Sequence, residues 1–227
     1  MAKIITIDTS TNVCSVALHD NGELLSSKIN HKEKSHSKYV TLMVEEVVGS
    51  AGFQLNEIDA FAISKGPGSY TGLRIGVATV KGYCFALDKP MLSINTLDGM
   101  WEEQKLKHKP SYYVPMIDAR RMEVYTKVFD SSGTIIETEA KILDEASFNQ
   151  FTAKGETVFF GDGSEKFNEL IGEKENYVFI ENVFPNAEFM GKKVYELYKS
   201  ESFEDLAYFE PYYLKDFLAT TPKKQLL

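Results

Sequence analysis

Two cysteines in 227 residues, Cys14 and Cys84, cannot build a disulfide framework, and with no Cys-x-x-Cys pair a thiolate zinc cage lacks its ligands. A surplus of positive charge is missing too. Lys and Arg number 25 against 33 Asp and Glu, a formal net charge of −8. That disfavours an unaided grip on a phosphate backbone, although a local basic patch fits within the balance. No apolar run is long enough to span a bilayer, and Asp8 interrupts the opening before a signal region forms, so the expected compartment is the cytoplasm. Histidines number 4. His31 and His36 lie five apart among Lys32, Lys34 and Lys38, a charge run that repels a metal ion and reads as a solvated loop, with no Ser or Cys nucleophile for either imidazole to serve.

What remains is the composition of an ordinary folded chain, 43% hydrophobic and 26% charged, with length for one large domain or two small ones. Ile4, Ile5 and Ile7 form a β-rich run ending at Asp8; Cys14 to His19 alternates as a second strand, Asp20-Asn21-Gly22 turns the chain, and Leu24 to Ile29 returns. Ser37 to Val48 carries apolar residues at helical spacing over a face wider than one stripe. Asp59 to Ser64 reads as a buried strand, Gly66-Pro67-Gly68-Ser69 as a turn, Thr71 to Leu87 as a helix and Met91 to Ile94 as the next parallel strand. The polar stretch from Trp101 to Pro110 reads as the end of the first domain. Beyond it Tyr113 to Asp118, Val124 to Phe129 and the turn at Ser131-Ser132-Gly133 echo the opening, which suggests duplicated α/β halves. Val158 to Gly163 reads as a strand with a glycine turn, Ala187 to Tyr198 as a late helix, and Thr220 to Lys224 as a polar tail.

The turn Gly66 to Gly72 has neither dinucleotide nor P-loop spacing, and stands either as an anion site at a helix N-terminus or as a tight turn. Asp8-Thr9-Ser10-Thr11 suits a metal-bound phosphate or, equally, a hairpin cap. Gly72, Gly76, Thr79, Gly82 and Ala86 form a small-residue stripe, and each glycine inside a helix costs about 1 kcal/mol relative to alanine, so the stripe needs a compensating close contact. The choice lies between the protein's own sheet and a partner chain; with Val77, Val80, Cys84 and Leu87 also seeking burial, an interface is the expectation. Asp118-Ala119-Arg120-Arg121 sets two arginines beside a carboxylate, for phosphate, for a partner's acid or for a local salt bridge.

The run Ser64-Lys65-Gly66-Pro67-Gly68-Ser69-Tyr70-Thr71-Gly72-Leu73-Arg74-Ile75-Gly76 resembles the TsaB (YeaZ) family of tRNA threonylcarbamoyladenosine synthesis. Ile7 to Thr11, Ala78 to Gly82, Asn95 to Asp98, Asp118 to Tyr125, Gly161-Asp162-Gly163 and Pro211 to Lys215 are similar as well, with Lys215 where the family usually has Arg. The resemblance implies an α/β fold of two related actin-like (ASKHA, sugar-kinase-like) lobes, each a mixed sheet with helices, here divided as 1–104 and 105–227.

It further implies a noncatalytic scaffold subunit that binds TsaD, and with it TsaE, and supports transfer of threonylcarbamoyl from threonylcarbamoyl-AMP to the adenosine beside the anticodon of tRNAs reading codons that start with A. The related TsaD holds its metal through a His-x-x-x-His motif; here Thr96 and Met100 occupy those places, so no catalytic residue or metal is expected in this chain. Expected at the partner surface are Tyr39, Met43, Val47, Gly72, Gly76, Thr79 and Tyr83, with Gly76→Arg breaking the contact in a folded chain. Alone the chain is expected to homodimerise. Its contact with tRNA is expected to be indirect, through the complex, and ATP or ADP to sit, if anywhere, at a partner interface. Asp8, Thr9, Ser10, Gly66 and Gly68 are the candidates for cofactor binding. The alternative, an independent actin-like ATPase or small-molecule kinase, puts Asp8, Thr9 and Gly68 at the phosphates.

Overall fold

The computed structural model describes residues 1–32 and 36–215; Lys34 and the polar tail at Thr220 to Lys224 lie outside them. In the first half, β1 (Lys3–Asp8) pairs antiparallel with β2 (Cys14–Asp20), which pairs with the exposed edge strand β3 (Glu23–Asn30). Asn21 and Gly22, with φ of 51° and 87°, make the turn between β2 and β3, as their small or absent side chains permit. After α1 (His36–Ser50) the chain enters β4 (Ala60–Ser64), parallel to β1, then α2 (Tyr70–Leu87) and β5 (Met91–Ile94), parallel to β4. The strand order is β3-β2-β1-β4-β5.

The second half repeats this plan. Strands β6 (Tyr112–Asp118), β7 (Glu123–Phe129), β8 (Thr134–Ile142), β9 (Thr157–Phe160) and β10 (Tyr177–Ile180) lie in the order β8-β7-β6-β9-β10, with the same parallel and antiparallel partners. Helices α4 (Asn149–Thr152) and α5 (Ser164–Ile171) fill the connections that α1 and α2 fill in the first.

The boundary between the halves is not a clean cut. The stretch read as polar punctuation is helix α3 (Thr96–Lys107), capped by the Asn95 side chain, which accepts from the Leu97 amide at 2.9 Å. Its charged residues are spent in ion pairs, Glu102 to Lys105 and Glu103 to Lys107, with the glutamates largely covered, which is why its composition looks like a linker. Leu97 and Met100 pack with Tyr113, Ile117, Phe129, Val158 and Phe160 of the second sheet, and Trp101 stacks on Phe129 at 4.7 Å.

In exchange, a 3-10 turn at Ala187–Met190 and α6 (Gly191–Lys199) lie on the first sheet. Ala187, Met190 and Val194 cover Ala2, Ile4, Ala17, Ala60, Ala62, Leu92 and Ile94. The alanine row brings the helix close to the strands. Each sheet thus borrows one helix from the other half, and the first-half part of α3, residues 96–104, and residues 187–199 pack across the expected division. The opposite face of the first sheet carries α1 and α2, where Val40, Met43, Val47, Val77 and Val80 meet Ile5, Ile7, Val16, Phe61 and Ile63.

Candidate functional site

At the C-terminal end of β1 the chain enters a loop, Thr9 to Val13, that is buried almost throughout. It sits directly on the start of α2. A Cβ at Gly68 would fall on the Ser10 carbonyl oxygen, one at Gly72 on the Thr9 carbonyl oxygen, and one at Gly76 on the Thr9 hydroxyl and the Ile63 side chain. The glycines are there because the β1–β2 loop needs their space. Hydrogen bonds weld the joint: Thr9 Oγ1 donates to the Gly72 carbonyl at 2.8 Å, the Ser69 amide donates to the Ser10 carbonyl at 2.6 Å, and the Ser69 side chain caps α2 through the Gly72 amide.

Asp8 is part of the same joint. Its Oδ1 accepts from the Ser10 amide at 2.9 Å and from the Ser10 hydroxyl at 2.8 Å. Burial pushes its carboxyl above the usual aspartate range, against the opposing pull of hydrogen bonds from Ser64 and Ser10. The cofactor candidates Asp8, Thr9 and Ser10 are thus buried and spend their polar groups on one another and on α2. Gly66 gives its carbonyl to the Thr96 amide at 3.0 Å. As folded, this set does not fit a nucleotide phosphate.

The interface candidates divide. Met43, Val47, Gly72 and Gly76 are buried in this chain's own core, the valine and methionine against the first sheet and the glycines beneath the β1–β2 loop, so they are packing residues and not surface. Gly76→Arg would drive a side chain into Thr9 and Ile63, which breaks the fold before any partner is involved. Tyr39, Thr79 and Tyr83 stand half-buried at the seam of α1 and α2. Tyr83 stacks on Phe61 at 5.1 Å, and burial beside Glu45 holds its phenol above the ordinary value.

The outward face of α2 is a different set: Ala78, Gly82, Phe85 and Ala86 are exposed, as is Leu42 of α1. Phe85 is 82% exposed, and a Cβ added at Gly82 meets nothing within 4 Å. The small-residue stripe is therefore two stripes, Gly72 and Gly76 inward, Gly82 and Ala86 outward. Phe85 was missed as a site residue, although at about 100° per residue it lies roughly a third of a turn from the face of Val77, Val80 and Cys84.

His36 is buried and donates Nε2–H to the Thr11 carbonyl at 2.7 Å, so it is a structural pin of α1 and not a loop residue; His31 is exposed, with its ring 6.1 Å from that of Phe184. Asp118 bonds Lys166 at 2.5 Å and leaves Arg120 and Arg121 exposed. Thr96 and Met100 are buried, Met100 in the core between α3 and the second sheet. Among the described residues no three His, Cys, Asp or Glu side chains gather as a metal site, and no helix is long and apolar enough to cross a membrane.

Two sheets of matching strand order, each with helices, define an actin-like, sugar-kinase-like (ASKHA) α/β protein. The family model for TsaD, tRNA N6-adenosine threonylcarbamoyltransferase, matches residues 23–225. A Buchnera aphidicola (subsp. Baizongia pistaciae) protein named tRNA threonylcarbamoyladenosine biosynthesis protein TsaB is 31% identical over 195 residues, 82% of this chain and 86% of that one. The Haemophilus influenzae protein of the same name is 38% identical over 123 residues, 54% of this chain, and that match spans about half of the relative, 51%. A solved Pseudomonas aeruginosa structure, described as similar to peptidase YeaZ, superposes with a TM-score of 0.83 at 25% identity, covering 95% of this chain and all of that one. The chain belongs to the TsaB (YeaZ) family of tRNA threonylcarbamoyladenosine biosynthesis, within the wider group that the TsaD model describes.

Proposed function

We propose that this chain is a noncatalytic subunit of a threonylcarbamoyl transfer complex. In this reading it docks TsaD, and with it TsaE, while TsaD carries out transfer to the adenosine beside the anticodon. The observation that carries it is the exposed apolar face of α2, Ala78, Gly82, Phe85 and Ala86, together with Leu42, Tyr39, Thr79 and Tyr83. A phenylalanine 82% exposed beside an open glycine is a knob next to a hole, a surface that a partner helix covers well. Family membership supports the assignment of the partner, and the buried Thr96 and Met100 support catalysis residing on TsaD. Without TsaD, the same face joins two copies of this chain. The complex works in the cytoplasm, and ATP or ADP sits at the boundary with a partner, since Asp8, Thr9 and Ser10 are spent internally.

Native mass spectrometry of the chain with TsaD and TsaE from the same cell, with and without ATP, tests this reading. A defined complex that replaces the homodimer is expected, and Phe85→Glu should abolish it while keeping a cooperative melt. A folded Phe85→Glu variant that still assembles would overturn the assignment of the face. A chain that stays alone and hydrolyses ATP would overturn the scaffold role itself.

A further inference from the structure

The hairpin from β6 to β7 turns on Arg120 and Arg121, both with positive φ, 70° and 50°. Two successive residues in the left-handed region are strained for anything but glycine or asparagine, because a Cβ is disfavoured there. Two long charged side chains occupy it instead. Both are exposed, and among the described residues neither guanidinium makes an ion pair. The carboxylate at the start of the turn is engaged elsewhere: Asp118 Oδ1 accepts from Lys166 Nζ at 2.5 Å and from the Arg120 amide at 2.9 Å. The Lys166 ammonium also donates to the carbonyls of Arg121 at 2.7 Å and Glu123 at 2.6 Å, holding the turn from one side.

The cationic line continues away from the turn. Lys215 pairs with Glu123. Two residues earlier, the Tyr213 ring meets the Tyr70 ring at 4.9 Å, and the Arg74 guanidinium lies 5.4 Å from the centre of the Tyr70 ring while donating to its hydroxyl at 2.8 Å. Arg74, Arg120, Arg121, Lys166 and Lys215 face the carboxylates Asp118, Glu123 and Glu210, with Asp162 buried behind the Asp118 amide. In a chain of net charge −8 this ridge is locally positive. Met122, Tyr212 and Tyr213 add exposed apolar and aromatic surface along it.

We propose that the ridge running from Arg74 through Tyr213 to the Arg120–Arg121 turn is a contact surface for single-stranded RNA, with guanidinium groups on phosphates and a tyrosine face against an unstacked base. Arginine beside aromatic faces is the combination that unpaired nucleic acid recognises. An acidic peptide would satisfy the arginines but gains nothing from the tyrosines. The surface is separate from the α1–α2 docking face, and it gives this acidic chain a share of the RNA grip that its net charge assigns to a partner.

The test is a titration of a fluorescent anticodon stem-loop RNA across a salt series, read by anisotropy, with the TsaD complex and with the chain alone. The variant is Arg120→Gly with Arg121→Gly, which relieves the turn and should melt no lower than the parent. The expected result is binding weakened by about tenfold and a salt slope reduced by about 1.4, two phosphate contacts at about 0.7 each. Arg74→Ala should weaken binding further, and Lys154→Ala, an exposed cation not among these ridge residues, should not. Unchanged affinity and slope in the folded double variant would overturn the proposal, as would unchanged RNA binding together with loss of the protein complex, which would make the arginines a protein contact. If no complex forms, the docking reading fails by itself, and the titration of the chain alone still decides the ridge.

Discussion

The imidazole of His19, on β2, occupies the space that a side chain at residue 191 would need: a Cβ built on Gly191 falls on His19 Nδ1 and lies 2.6 Å from the Gly22 carbonyl oxygen. Gly191 starts α6, the helix that the second half lends to the first sheet. His19 Nε2 sits 3.0 Å from the Thr6 hydroxyl and 3.2 Å from the Ala187 carbonyl, so one buried ring links β1, β2 and the borrowed segment. Gly191→Ala should therefore lower the melting temperature, by about 2 kcal/mol of stability for overpacking a buried contact, although alanine is the better helix former. Denaturant unfolding measures it; a gain in stability would show that α6 is not held against His19.

Acid should loosen the same joint. Burial holds the His19 pKa near 4, well below the ordinary 6.5, despite the Ala187 carbonyl and the nearby carboxylates of Glu188 and Glu23. The folded state favours the neutral ring, so the contribution is complete above pH 6.5, is lost as pH falls, and levels off below 4. At about 1.4 kcal/mol per unit the swing is on the order of 3 kcal/mol. His19→Gln should be less stable at pH 7 and flatten the stability curve between those pH values. A variant as steep as the parent would assign the acid sensitivity to another group.

Two glycines of one helix should respond to alanine with opposite signs. Gly82 is exposed with open space at its Cβ, so Gly82→Ala should stabilise by about 1 kcal/mol through helix propensity. Gly76→Ala gains the same propensity but pushes against the Thr9 hydroxyl and Ile63, and should lose about 2 kcal/mol net. Chemical denaturation of the two variants decides the matter. Equal effects would mean that the β1–β2 loop does not press on α2.

These signs also mark how far the sequence was legible. The first three strands, α1, α2 and the restart at Tyr113 carry their own periodicity and turn chemistry, and they appear within a few residues of the expected limits. α3 was missed because its ion-paired charges hide Leu97 and Met100 in a polar composition. Which face a glycine serves is a tertiary fact: nothing along the chain distinguishes Gly76 from Gly82 until Thr9 arrives from 67 residues upstream of the first. The exchange of α3 and α6 between sheets is likewise set by long-range packing. The glycine turn itself was legible as a strand-to-helix junction, while its filling by Ser10 and Thr9 was not.

The thiols should be silent until the chain unfolds. Cys14 and Cys84 are buried, and burial pushes both up to about 12, with the Asp8 charge adding to the effect at Cys14. At pH 8 neither should react with an aromatic disulfide reagent in the native chain, and both should react in denaturant. Rapid labelling of one thiol in native conditions would report local opening of β2 or of the end of α2.

Asp8 provides the reverse of the histidine case. Its folded-state pKa is raised, chiefly by burial, so its protonated form favours folding at low pH, and that contribution is lost as pH rises through the raised value. The carboxyl is buried facing hydroxyls and an amide, so ionising it carries a desolvation cost that these hydrogen bonds offset only in part. Asp8→Asn keeps an oxygen to accept from the Ser10 amide and hydroxyl while removing the ionisable group and its desolvation cost, and should raise stability at pH 7 by about 1 kcal/mol. Asp8→Ala leaves those donors unsatisfied and should cost about 2 kcal/mol. If the residue instead serves a ligand, Asp8→Asn would leave stability unchanged and reduce complex activity. Thermal melts alongside a threonylcarbamoyl transfer assay separate the two, and a more stable variant with undiminished transfer identifies Asp8 as a member of the joint between the β1–β2 loop and α2.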